Sequence, residues 1–240
     1  MTDPERNPFV PTPQARDVNA ILETMDAKRP AVASHCRRVS AYGVHLAAQY
    51  GLSEEMVETI RVGSLLHDVG KLLVPAHILS KPGRLTKHEW QALQNHPEHG
   101  FDMAEHLGFA PGILDIILYH HERNDRSGYP DGLDGNVIPW TVRIVSVMDA
   151  FDALTSPRVY RESLSADAAR TLLARESADR YCPWVVSGLL SMPRTMLDAV
   201  ANDGLDRYRP DARPNQAVLQ TATTRWAAAC PEEAGQLTTW

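Results

Sequence analysis

Residues 53–71, SEEMVETIRVGSLLHDVGK, decide how this chain is read. Ser53 suits a helix N-cap, and Glu54 and Glu55 follow in the first turn, where the helix dipole favours acidic side chains. Met56, Ile60, Val62, Leu65 and Leu66 recur at helical spacing. The predicted helix delivers His67 and Asp68 near its end, just before Gly70. Two metal-ligating side chains at the end of an apolar helix point to a helical fold with chemistry at helix termini.

The segments on either side read the same way. Thr12-Pro13 is a helix start, with Thr12 as cap and Pro13 at the first helical position. That helix runs to the break at Arg29-Pro30. A second carries Val32, Cys36, Val39, Tyr42, Gly43 and Leu46 at three- to four-residue spacing and stops near Gly51. Residues 72–85, LLVPAHILSKPGRL, read as a loop with two prolines, and Thr86 to Glu89 form a capping-box pattern. PGILDIILYHHE (111–122) is a predicted helix whose end presents His120 and His121. Adjacent helix positions point about 100° apart, so both can face one site only near a terminus or around a dinuclear centre. A polar loop follows, then VRIVSVMDAFDALT (142–155), an apolar helix with Asp149 and Asp152 on one face. SADAARTLLARES (165–177) and PWVVSGLLSM (183–192) read as further helices. No strand-period alternation, repeat or low-complexity tract occurs, so the expected class is all-α.

The candidate ligands are His35, His67, Asp68, His96, His120, His121 and Asp149. Imidazole and carboxylate without thiolate suit a borderline or hard divalent metal. Two metals about 3.5–4 Å apart can clamp a phosphate and activate water. Cys36, Cys182 and Cys230 are far apart and odd in number, which speaks against a thiolate site and for a reducing cytoplasm. Net charge is −6, which argues against nucleic-acid polymers as partners. A small anion needs only local cations, and Lys71, Lys81, Arg84, Arg123, Arg126, Arg158 and Arg161 lie near the ligands in sequence. The N-terminus has no signal-peptide pattern, and no apolar run reaches the roughly 20 residues that span a bilayer.

HCRRVS, LLHDVGK, VPAHILSKPGRLTKHEW, NHPEHG, HHERNDRSGYPDGL and MDAFDALTSPRVYR, between His35 and Arg161, together resemble the HD-GYP branch of the HD-domain phosphohydrolases. The resemblance implies an HD-domain-like helical bundle at residues 31–164, preceded by a lead-in and helix at 1–30 and followed by a helical C-terminal extension at 165–240. It implies hydrolysis of cyclic di-GMP to pGpG, and further to GMP, by a hydroxide held between two divalent metals, with iron or manganese first and zinc, nickel or cobalt as alternatives. Another cyclic dinucleotide, such as cyclic GMP-AMP, or a binding module with little turnover is the competing expectation. Carried over, His35, His67, Asp68 and Asp149 surround one metal, and Asp68 bridges to a second completed by His96, His120 and His121. Lys71 and Asp68 take catalytic roles. Arg158, Arg161, Tyr129, Gly128 and Arg126 take substrate-binding roles.

The chain departs from the family pattern in places. Ala31 stands where some members carry a glutamate that helps hold a third metal, so two metals are expected. Arg126 replaces a common glycine, which leaves room for a different loop path. Arg37 and Arg38 read as a solvated helix face. Residues 1–30 are too short for the receiver or sensor domain of many relatives. Diguanylate cyclases or other signalling proteins are the implied partners, and the oligomeric state, including a homodimer, stays open.

Overall fold

The computed structural model describes residues 13–157, 162–177 and 179–203. Among these residues every regular element is helical. The expected cap at Thr12, the phosphate-binding roles of Arg158 and Arg161, and the chain from 204 onward lie outside the described residues.

The central elements are α2 (Pro30–Gln49), α3 (Glu54–Leu66) and α8 (Trp140–Thr155). Ser53 caps α3 by accepting the Met56 N–H at 3.3 Å. Tyr42, Leu46, Ile60, Ile144, Met148 and Phe151 are fully buried where these three helices meet. α8 buries ten consecutive or near-consecutive residues from Val142 to Asp152, so it is covered on several sides rather than along one stripe. α1 (Pro13–Lys28) packs on α2 and α3 and contributes Met25 and Val18.

Residues 72–85 are not a plain loop. A 3-10 turn, Val69–Leu72, follows α3, and a short helix, α4 (Ala76–Leu79), starts after Pro75. Proline tolerates a helix start well, and a four-residue helix is too brief to leave a periodic signal. α5 (Lys87–Gln94) opens with the predicted capping box: Thr86 Oγ accepts the Glu89 N–H, and Glu89 accepts the Thr86 N–H at 2.7 Å. α6 (His96–His106) follows directly, and α7 (Pro111–Tyr119) lies against α3 and α6.

In the segment read as an extension, α9 (Ala166–Arg175), α10 (Pro183–Ser191) and α11 (Arg194–Asp203) place Leu173, Val185, Leu189 and Val200 in the same core as α2 and α8. α11 was not anticipated: its apolar positions, Met196, Leu197 and Val200, are few and sparse.

Candidate metal centre

Three of the histidines sit where helices end. His67 is the C-cap of α3, His120 is the C-cap of α7, and His96 follows the end of α5. The last carbonyls of a helix lack intrahelical partners. Here the imidazoles supply them: Nδ1–H of His67 donates to Ser64 O (2.7 Å), of His96 to Leu93 O (2.7 Å) and of His120 to Ile117 O (3.0 Å). Each bond fixes the tautomer and leaves Nε2 with its lone pair facing inward. A fourth, His35 on α2, is fixed differently, with Nδ1 2.7 Å from the Asp152 carboxylate on α8.

The inward atoms form two groups. Asp68, His96, His120 and His121 make one, and His35, His67 and Asp149 the other. Asp68 reaches both. Its Oδ1 lies 3.2 Å from His96 Nε2 and 3.9 Å from His120 Nε2. Its Oδ2 lies 3.7 Å from His35 Nε2 and 3.6 Å from His67 Nε2. Asp149 places Oδ1 3.1 Å from His35 Nε2 and Oδ2 3.9 Å from His121 Nδ1.

This donor set fits divalent cations. His96 Nε2 and His120 Nε2 face each other at 3.3 Å. With protons held on both Nδ1 atoms, that contact brings two lone pairs together, an arrangement a shared cation relieves. His67 Nε2 and Asp68 Oδ1 are buried without a hydrogen-bond partner, although such groups cost about 1–3 kcal/mol when left unsatisfied. The clusters therefore fit a metal site of the kind that histidine and aspartate make.

The two groups differ electrostatically. Burial, with help from neighbouring imidazoles, holds His120 well below the ordinary histidine range. Burial does the same to His121 and outweighs the Asp149 charge. Both imidazoles are thereby held neutral. Burial also opposes charge on His35, but the Asp149 and Asp152 carboxylates win and push it up to about 9. His67 is pushed up to about 9 as well, with burial outweighed by Cys36 and Asp68. Asp68 and Asp149 are held well below the usual carboxylate range: burial opposes this, and is outweighed chiefly by Lys71 for Asp68 and by the hydrogen bond with His35 for Asp149.

Lys71 projects from the 3-10 turn, and its Nζ donates to Asp68 Oδ2 at 2.6 Å. Burial works against the ammonium, yet Asp68 raises its pKa, so it stays charged. Gly70 allows this turn to sit against α6. A Cβ there would fall 2.0 Å from His96 O and 2.7 Å from Gly100 N.

The remaining expected contacts sort unevenly. The Tyr129 ring lies over His121, with centroids 4.7 Å apart. Gly128 is required by packing: a Cβ would fall 2.5 Å from both Arg123 N and Glu122 Cα. Arg126 takes a left-handed conformation (φ 63°) that glycine adopts more readily. Its guanidinium bonds Asp134 at 2.9 Å and stands exposed.

Arg38 is not on a solvated face. Its Nε and Nη2 donate to Asp152 at 2.6 and 2.9 Å, which completes a chain from Arg38 through Asp152 to His35. Arg37 instead pairs with Asp26 nearer the surface. Glu122 was not singled out from the sequence. It is 2% exposed, and its carboxylate accepts the N–H groups of Asp131, Gly132 and Leu133, pinning the loop behind Tyr129. The available signal was its place directly after His120-His121.

An all-helical bundle enclosing a histidine–aspartate metal site defines the class of protein. Residues 20–185 match the HD domain family, and the chain belongs to it, in the HD-GYP type. It is 43% identical over 156 residues to the cyclic di-GMP phosphodiesterase response regulator RpfG of Xanthomonas campestris, a match covering 64% of this chain and 41% of that protein. It is 35% identical over 172 residues to 3'3'-cGAMP-specific phosphodiesterase 2 of Vibrio cholerae, covering 71% of this chain and 33% of that one. The chain thus spans well under half the length of these relatives. Among solved structures, a Bdellovibrio bacteriovorus protein described as an HDG"Y"P protein superposes with a TM-score of 0.56 at 20% identity, over 74% of this chain and 60% of its own. No described helix is long and apolar enough to cross a membrane.

Proposed function

We propose that this chain is a metal-dependent phosphodiesterase for cyclic dinucleotides, with cyclic di-GMP as first substrate and pGpG, then GMP, as products. The observation that carries the reading is Asp68, whose two oxygens face two separate histidine groups. A carboxylate so placed suits a bridge between two divalent ions, iron or manganese in first place. When bound, such ions would neutralise a phosphodiester and lower the pKa of water towards 7.

The chain's own residues supply the rest. Backbone carbonyls hold three imidazoles in the ligand tautomer, and Asp152 orients the fourth. Lys71, kept cationic by Asp68, adds positive charge where the equatorial phosphate oxygens gather negative density. Tyr129 and Gly128 shape the wall over His121, and Arg158 and Arg161 are assigned to anchoring phosphate. Arg126 is assigned to the outer rim.

The chain resembles relatives of both substrate types, and the 3'3'-cGAMP-specific phosphodiesterases of V. cholerae favour cyclic GMP-AMP as the second reading. The test is hydrolysis of both dinucleotides by protein loaded anaerobically with Fe(II) or Mn(II), with Asp68→Ala beside it. Release of pGpG or GMP that disappears in the variant supports the proposal. Turnover of cyclic GMP-AMP alone moves it to the second reading, and no turnover of either by metal-loaded protein overturns it.

A further inference from the structure

Cys36 sits one residue beyond His35 on α2 and is completely buried. Most of its neighbours are apolar: Met25, Ala33 and Val69 form a small cluster around it. A buried cysteine in such company commonly serves as a small hydrophobe. The other side of this one is different. Cys36 Sγ, a His67 ring nitrogen and an Asp68 carboxylate oxygen all lie within 4.8 Å of one another. His67 Nδ1 is occupied by Ser64 O, so Nε2 is the ring nitrogen free to act, and it has no hydrogen-bond partner although its side chain is 0% exposed. Asp68 Oδ2, the oxygen on this side, lies 3.6 Å from His67 Nε2. A buried, unsatisfied imidazole nitrogen thus shares a small space with a thiol and a carboxylate oxygen.

We propose that Cys36 is a further metal ligand, binding as thiolate to the ion held on the His67 and Asp68 side. This rests on the reading that the cluster holds a metal and is independent of which dinucleotide is cleaved. Sulfur sits about 2.3 Å and imidazole nitrogen about 2.0–2.1 Å from zinc, so donors sharing one ion lie at most about 4.4 Å apart. The observed grouping needs only a small closure to meet that limit. Binding breaks the S–H bond and forms a sulfur–metal bond, and the proton leaves to buffer. A thiolate tilts the centre towards softer ions, so zinc or ferrous iron gains over manganese.

The experiment is to strip the full-length protein of metal, load Co(II), and record its absorption spectrum beside Cys36→Ala, Cys36→Ser and Cys182→Ala. The expected result is visible ligand-field bands in every protein. A near-ultraviolet sulfur-to-cobalt band should appear in wild type and Cys182→Ala and be missing in both Cys36 variants. The Cys36→Ser variant, closest in size, guards against a folding failure of the alanine. Zn(II) affinity should fall more than about tenfold in Cys36→Ala while Mn(II) affinity changes less than about twofold. Ligand-field bands without the sulfur band in wild type, or a sulfur band that survives in both Cys36 variants, overturn the proposal and leave the metal centre standing. Absence of any cobalt binding overturns both.

Discussion

The two halves of the centre solve one problem in opposite ways. On the His96–His120 side, imidazoles are held by main-chain carbonyls at helix ends, and His120 and His121 are kept neutral by burial. On the other side His67 is also carbonyl-held, but His35 is oriented by a carboxylate, Asp152, itself gripped by Arg38, and is driven towards its charged form. A carbonyl cannot be removed by changing a side chain, whereas Asp152 can. The first half should therefore be robust to mutation and the second tunable through His35.

The largest effect should come from the one residue that both halves share. Asp68→Ala is expected to lower turnover by at least about 1,000-fold and to reduce bound metal, measured by elemental analysis of the purified protein. Activity within tenfold of wild type would remove the bridging role. Smaller, and specific to one half, is Asp152→Ala: metal affinity should drop about 10- to 100-fold, read by competition with a chelating dye. Within the same half, Ser64→Ala is the carbonyl-held counterpart. It keeps the Ser64 carbonyl that orients His67, and its hydroxyl has no partner, so affinity should stay within about twofold. Equal losses in the two variants would erase the distinction.

Acidity separates the halves next. His35 has a folded pKa of about 9 against an ordinary 6.5, so its contribution is complete below about pH 6.5 and is lost as pH rises through 9. In metal-stripped protein that loss should be on the order of 2–3 kcal/mol, seen in urea melts across this range. His120 and His121 have the opposite sign: their folded pKa values are depressed, so stability falls as pH drops below about 6.5. Bound metal requires neutral imidazole and should flatten the alkaline slope, and a slope unchanged by metal would contradict this account. The smallest effect lies further out. Thr86→Ala removes the cap of α5, the helix that supplies Leu93 O, and should cost about 1 kcal/mol in thermal melts while leaving turnover nearly unchanged.

Much of this was readable in the sequence because the signals were local. Ser53 and Thr86 announced helix starts, and the spacing of Ile60, Val62, Leu65 and Leu66 described a buried face. The seven candidate ligands stood out because His67-Asp68 and His120-His121 fall at ends of apolar helices. What stayed hidden depends on distant partners. Arg38 meets Asp152 across 114 positions, and nothing on α2 alone distinguishes it from Arg37. Glu122 looks like an ordinary charge until its carboxylate is seen to collect three N–H groups from the returning loop. Gly70 and Gly128 were legible as motif letters, but the reason for them, a backbone pressed against another backbone, is tertiary.

The candidate ligands also join positions far apart along the chain, from His35 to Asp149. A cation held there would act as a removable cross-link. It would close several long loops at once and, much as a disulfide does, restrict the chain before any substrate arrives. The availability of metal would then govern how tightly the bundle is tied as well as whether it can cleave.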